Sequence, residues 1–213
     1  MKTEDLLSLL ATRVDAEKIQ NPMRRYGLAV MSAMALATAL MAELLGVRST
    51  LARDFSVPMF WTKEAFCAVL GAAGLVAAAR LARPGSRLGW VRVGLAGPLL
   101  AMWLLAAVAL VMSEAQDRRA LIFGDTASAC PFWIALISAP LFVSIFWAMR
   151  GLAPTRLWLA GAAGGTAAGA LGALVYSLHC PELAAPFIGI WYVLGILIPT
   201  GVGALLGPQL LRW

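Results

Sequence analysis

The sequence predicts an all-α polytopic membrane protein: a bundle of six transmembrane helices with a short N-terminal cytoplasmic amphipathic helix. Three observations carry that expectation. The 213 residues are 61% hydrophobic and 13% charged, whereas soluble domains run at about 45–50% apolar and about 25% charged, so a water-soluble globule is excluded. Runs free of Asp, Glu, Lys and Arg cover residues 26–42, 65–79, 93–113, 126–149, 157–181 and 183–211, and a hydrocarbon core takes about 20 apolar residues per helix. The net charge of +6 sits on basic residues between those runs, which points to a lipid bilayer as partner and not to direct contact with nucleic acid. The same composition excludes intrinsic disorder, a disulfide-dense scaffold and a haem held by paired histidines, because there are three cysteines and one His.

The chain divides into a cytoplasmic tail over 1–25 and a membrane domain over 26–213. In the tail, Thr3 caps a helix whose first turn carries Glu4 and Asp5 at its positive end. Leu7, Leu10, Ala11 and Val14 then follow the i, i+3, i+4, i+7 stripe and Leu6 widens it. That helix stops by Asn21-Pro22. A helix of about 15 residues is marginal alone, so its apolar face needs a membrane surface or a partner groove, with Leu6, Leu7, Leu10 and Val14 as the contact residues.

The six spans are expected at about 26–46, 60–82, 89–112, 131–149, 157–177 and 185–206. The second begins close to Lys63 and Glu64, whose place near the interface lets them snorkel, with Glu43 as a partner for Lys63. The Ala-rich end of the first span also offers cleavage-site patterns around Ala35 to Ala42, but its polar lead is long for a signal peptide and its removal would leave five spans. The fifth span carries Gly161, Gly165 and Gly169 at four-residue spacing, with Gly164 and Gly172 on a neighbouring stripe. Such small residues let backbones approach in lipid, either inside the bundle or as a homodimer seam. Pro199 predicts a kink near Ile196 to Pro199.

Cytoplasmic segments hold the excess of Lys and Arg. Assigning the tail, the even connections and the C-terminus to one side places 12 of the 17 basic residues there, and seven of the eleven acids on the other. Both termini are therefore expected to be cytoplasmic. Trp61 and Trp133 fall near the outer interface and Trp90, Trp147, Trp158 and Trp213 near the inner one, while Trp103 and Trp191 are expected between helices.

No catalytic pattern is present: no phosphate-binding glycine loop, no Cys-x-x-Cys and no His-Glu-x-x-His. An enzyme is not expected, and no resident cofactor is implied. The cysteines are more informative. Cys130 opens the fourth span and Cys180 closes the fifth, both at the outer interface and both before proline, whereas Cys67 lies inside the second span as a small apolar residue. Three readings of the pair stay open: a structural disulfide, a reversible redox-sensing pair of Cys130 and Cys180, or ligands to a soft metal ion as signal, with Cys130, His179 and Cys180 as the set. A protonated His179, favoured by Glu182, would lower the neighbouring thiol. A membrane thiol oxidoreductase or small transporter using these cysteines directly is the alternative function, against which the missing Cys-x-x-Cys and the lack of deep polar groups count. A scaffold with no sensing role is a third reading.

Several stretches resemble one family. They are the opening Met1-Lys2-Thr3-Glu4-Asp5-Leu6-Leu7 with its amphipathic tail, the single cysteines before the fourth span and after the fifth, and Leu178-His179-Cys180-Pro181-Glu182. With them goes the ending from Phe187-Ile188-Gly189-Ile190-Trp191-Tyr192 through Ile198-Pro199 to Leu210-Leu211-Arg212-Trp213. Together they are similar to the NrsF-type integral-membrane anti-sigma factors. The resemblance implies a six-helix bacterial inner-membrane protein that sequesters an extracytoplasmic-function sigma factor at the cytoplasmic face until envelope stress releases it. It further implies a sensing role for Cys130 and Cys180. The His-x3-Cys-x2-Cys pattern of soluble zinc anti-sigma domains is absent, so the sigma contact is expected to be built differently.

Overall fold

The computed structural model describes residues 22–83, 88–150, 154 and 156–212, with side chains from Gly27 onward. Leu6, Leu7, Leu10 and Val14 lie outside the described residues. Among the described residues every regular element is helical. The elements are α1 (Pro22–Leu44), α2 (Leu51–Asp54), α3 (Pro58–Leu81), α4 (Val91–Met112) and α5 (Arg118–Phe123). They are followed by α6 (Cys130–Ile137), α7 (Ala139–Met149), α8 (Leu157–Tyr176), α9 (Ala185–Phe187) and α10 (Val193–Leu210), the last two joined by a π turn at Ile188–Tyr192. Five helices are long and apolar enough to cross a membrane, with Ala185–Leu210 counted as one; α6 and α7, bent by 42° between them, make a sixth if taken as a single broken span.

Proline and serine explain the bend. Pro140 has no N–H to offer the Leu136 carbonyl, and the Ser138 hydroxyl donates instead to the Ala135 carbonyl (2.7 Å). The expected kink at Pro199 is not where the last span is irregular. α10 runs through Pro199, with the Thr200 hydroxyl donating to the Ile196 carbonyl (2.7 Å), and the irregular turn lies earlier, at Ile188–Tyr192. A π turn misaligns the backbone ladder and leaves carbonyls for other donors. The Gly189 carbonyl accepts from the Trp103 indole (2.9 Å). Trp103 is thereby anchored while half its surface stays exposed, and Trp191 donates to Ile122 of α5 (2.8 Å). Trp191, partly buried against the core and beside Phe123, lies between helices as expected, whereas Trp103 is only half covered.

α8 is the hub of the bundle, packed on α10, α3, α7, α6 and α1, whereas α4 leans on α3 and α9 at the periphery. Glycine and alanine decide this. A Cβ on Gly161 would fall on the Gly203 carbonyl, and one on Gly165 on the Pro199 carbonyl. On the next stripe a Cβ on Gly172 would come within 2.8 Å of Ser138 at the bend. The stripe is consumed by close backbone packing inside the chain and is closed to a second copy, so the homodimer seam built on it is set aside.

Candidate functional site

Three connections meet at one end of the bundle: 45–57, 113–129 and 177–184. α8 ends at Tyr176, whose carbonyl still accepts the N–H groups of His179 (3.0 Å) and Cys180 (3.1 Å). Pro181 prevents any continuation. That leaves the carbonyls of Cys180 and Glu182 without helical partners, and two cations take them. Lys63 Nζ donates to Cys180 O (3.0 Å) and Glu182 O (3.1 Å), and Arg48 Nη1 donates to Cys180 O (2.5 Å). Arg48 is itself paired with Asp54 (3.1 Å) and lies over the Phe60 ring. The Glu182 carboxylate accepts from Asp125 N–H (2.8 Å) and rests on Gly124, whose φ of +48° and missing Cβ make room for it. The Ser177 hydroxyl donates to Glu64 (2.5 Å).

Inside this frame the two cysteines meet. Cys130 is the first residue of α6 and Cys180 leads the stretch after α8; the two thiols are close neighbours, with Tyr176 beside Cys130 and Tyr192 beside Cys180. Both are free thiols with no exposed surface. Thr126 Oγ1 stands 3.9 Å from the Cys180 sulfur. Among the described residues the buried Tyr192 hydroxyl has no hydrogen-bond partner. The hydrogen bond from Cys130, aided by the Lys63 charge, draws the Cys180 thiol below its ordinary pKa against the opposing effect of burial. A cysteine shifted in that sense is more readily the thiolate, its nucleophilic form.

The family follows from comparison of the whole chain. A family model described as negative regulator of sigma F, NrsF, matches residues 10–213. The chain belongs to the NrsF family. Over its full length, and theirs, it is 49% identical to the probable anti-sigma-F factor NrsF of Azospira oryzae and 34% identical to the anti-sigma-F factor NrsF of Caulobacter vibrioides. No solved structure matches it. The NrsF family is regulatory, a class of anti-sigma factors.

Against that identity the expected site residues fall as follows in this NrsF chain. Cys130 and Cys180 are brought together, and both are buried within the protein. His179 is turned away from them, its Nδ1 against the Gly46 carbonyl (3.0 Å). Among the described residues no group of three or more His, Cys, Asp or Glu is spaced to hold a metal ion, so Cys130, His179 and Cys180 are not gathered as a ligand set. The cation beside the thiols is Lys63, which neither snorkels nor pairs with Glu43: it has no exposed surface, while Glu43 is exposed. The reason is geometric, since the backbone end at Cys180 supplies two carbonyls where water would otherwise be needed. Sequence reasoning missed Arg48, Tyr176 and Tyr192 altogether. Both tyrosines end or interrupt a helix next to the Cys180 stretch, which is the one signal that marked them.

Proposed function

We propose that this chain is a membrane-embedded anti-sigma factor that holds an extracytoplasmic-function sigma factor at the cytoplasmic face of the bacterial inner membrane. It releases the sigma factor when the Cys130–Cys180 pair is oxidised on the periplasmic side. The observation that carries this reading is the pair itself: two free thiols in contact, buried at the end where three connections converge, in a family of negative regulators of a sigma factor. With a hydroperoxide as oxidant, the Cys180 thiolate attacks the distal oxygen and becomes a sulfenic acid, expelling an alkoxide that takes up a proton. Cys130 then attacks the Cys180 sulfur and water leaves. Two electrons pass from the sulfurs to the peroxide, giving one disulfide, one alcohol and one water.

The bond would tie the start of α6 to the end of α8. α8 lies against α10 with no slack at Gly161 and Gly165, so a shift at one end is carried by a rigid pair of helices to the other. There the Arg150 side chain donates to the Leu210 carbonyl (2.9 Å), and the tail residues Leu6, Leu7, Leu10 and Val14 are the docking face for sigma. A signal acts only through such a difference between two states.

Two measurements test this. In cells carrying a sigma-dependent reporter, Cys130→Ser and Cys180→Ser are expected to alter stress induction while membrane insertion is kept; unchanged induction rules out the sensing step. Leu7→Asp with Leu10→Asp is expected to give constitutive reporter activity, and sigma that still co-purifies with this variant rules out tail docking.

A further inference from the structure

Two cations approach Cys180, and their charges are accounted for differently. Arg48 has Asp54. Lys63, with no exposed surface, has no carboxylate paired with it among the described residues; its amine reaches the carbonyls of Cys180 and Glu182 and lies 5.6 Å from the Tyr192 ring centre. Neutral dipoles and a ring face ease a buried cation but leave its net charge uncompensated, and buried charge without a counter-charge is costly. The strongest opposing charge within its reach is the Cys180 sulfur, with the Glu64 carboxylate, held by Ser177, a weaker one.

The other titratable or charged groups around the pair have partners of their own or are phenols. From α3, Glu64 faces Ser177 and Cys67 is an apolar-packed thiol. From the 177–184 connection, His179 faces Gly46 and Glu182 faces Asp125 N–H. α8 and the π turn contribute the phenols of Tyr176 and Tyr192. The N-terminus of α6, on which Cys130 sits, adds its positive end in the same sense as Lys63.

We infer that Lys63 is the positioning residue of the thiol pair: its ammonium is the counter-charge to one negative charge shared by Cys130 and Cys180, and sets the pH at which the pair reacts. The inference rests on the redox reading above and extends it to a charge switch. In the reduced state the thiolate and ammonium cancel. Oxidation by a hydroperoxide converts one thiolate, one thiol and the peroxide into a disulfide, an alcohol and a hydroxide, and the hydroxide takes the ammonium proton to form water. Lys63 is left as a neutral amine, with a weaker hold on the Cys180 and Glu182 carbonyls. The discharge therefore loosens the stretch that follows α8 at the moment the sulfurs are joined.

The test uses the purified full-length chain in detergent with Cys67→Ser, so that only the pair reacts. The rate of iodoacetamide alkylation is followed across pH in the parent, Lys63→Gln, Lys63→Met and Lys63→Arg. Both neutral variants are expected to move the midpoint up by about one pH unit or more, slowing alkylation about tenfold at neutral pH, and Lys63→Arg is expected to restore the parent profile. Arg48→Met removes a bond to the same carbonyl without removing the counter-charge, and is expected to leave the midpoint in place. A midpoint unmoved by Lys63→Gln and Lys63→Met overturns the inference, as does an equal shift in Arg48→Met, which would mark a merely structural loosening. The assay contains no sigma factor, so its failure is distinct from failure of the Cys130→Ser and Cys180→Ser reporter test.

Discussion

α8 is gripped in two unlike ways along its length. Toward the middle and the far end its glycines lie on the backbone of α10, with carbonyls where side chains would be; at the other end the stretch after it is held by Lys63, Arg48 and a pair of thiols. The first contact is dispersion and shape, indifferent to solution chemistry and intolerant of added volume. The second is built of hydrogen bonds and titratable groups. Under the proposed function, the first contact makes α8 a rigid lever and the second gives it an input.

The comparison is broken most severely at Gly165. Gly165→Leu places a side chain on the Pro199 carbonyl, where neither backbone has room to yield, and its cost is expected to exceed the about 1–3 kcal/mol typical of overpacked cores. The measurement is the yield of monodisperse protein from membranes, expected to collapse. Cys180→Ser acts on the other grip and is expected to cost only about 1 kcal/mol in detergent unfolding, while sigma no longer responds to oxidant. If it unfolds the protein as Gly165→Leu does, the two grips are not different in kind. Trp103→Phe removes the indole donor to Gly189 at the π turn, and a loss of about 0.5–1.5 kcal/mol is expected by the same unfolding assay. Smallest of all is Gly201→Ala, on a face of α10 with nothing within 4 Å; stability within about 0.5 kcal/mol of the parent is expected.

The same contrast explains what was legible beforehand. Hydropathy and charge-free runs found the helices and nearly their limits, because lipid imposes length and apolarity on each span separately. They ranked the helices poorly for position. α4 is the most hydropathic of the five continuous spans and has two buried residues, Val91 and Met102, whereas α8 is the least hydropathic and buries 14 of its 20 residues. Glycine spacing supplied what hydropathy did not. The bend at Ser138 and the π turn at Ile188–Tyr192 depend on which carbonyls find donors from other helices, and that is tertiary information. In the site, the two cysteines were legible from sidedness and from the prolines that follow them. Lys63 was not, since a lysine near a span end reads as snorkelling unless the unpaired carbonyls of Cys180 and Glu182 are known to sit beside it. His179, adjacent to Cys180 in sequence, points to Gly46 because the chain has already turned.

Under the proposed function, sigma binding and the thiol state of one buried pair are two readouts of a single switch. Tagged full-length chain recovered from membranes of cells treated with or without a hydroperoxide, and probed together for bound sigma factor and for free thiols, tests it directly. The account predicts that sigma is lost in step with the disappearance of the thiols at Cys130 and Cys180, while Cys67 stays free. Sigma released with both thiols intact, or retained after both are joined, would contradict it.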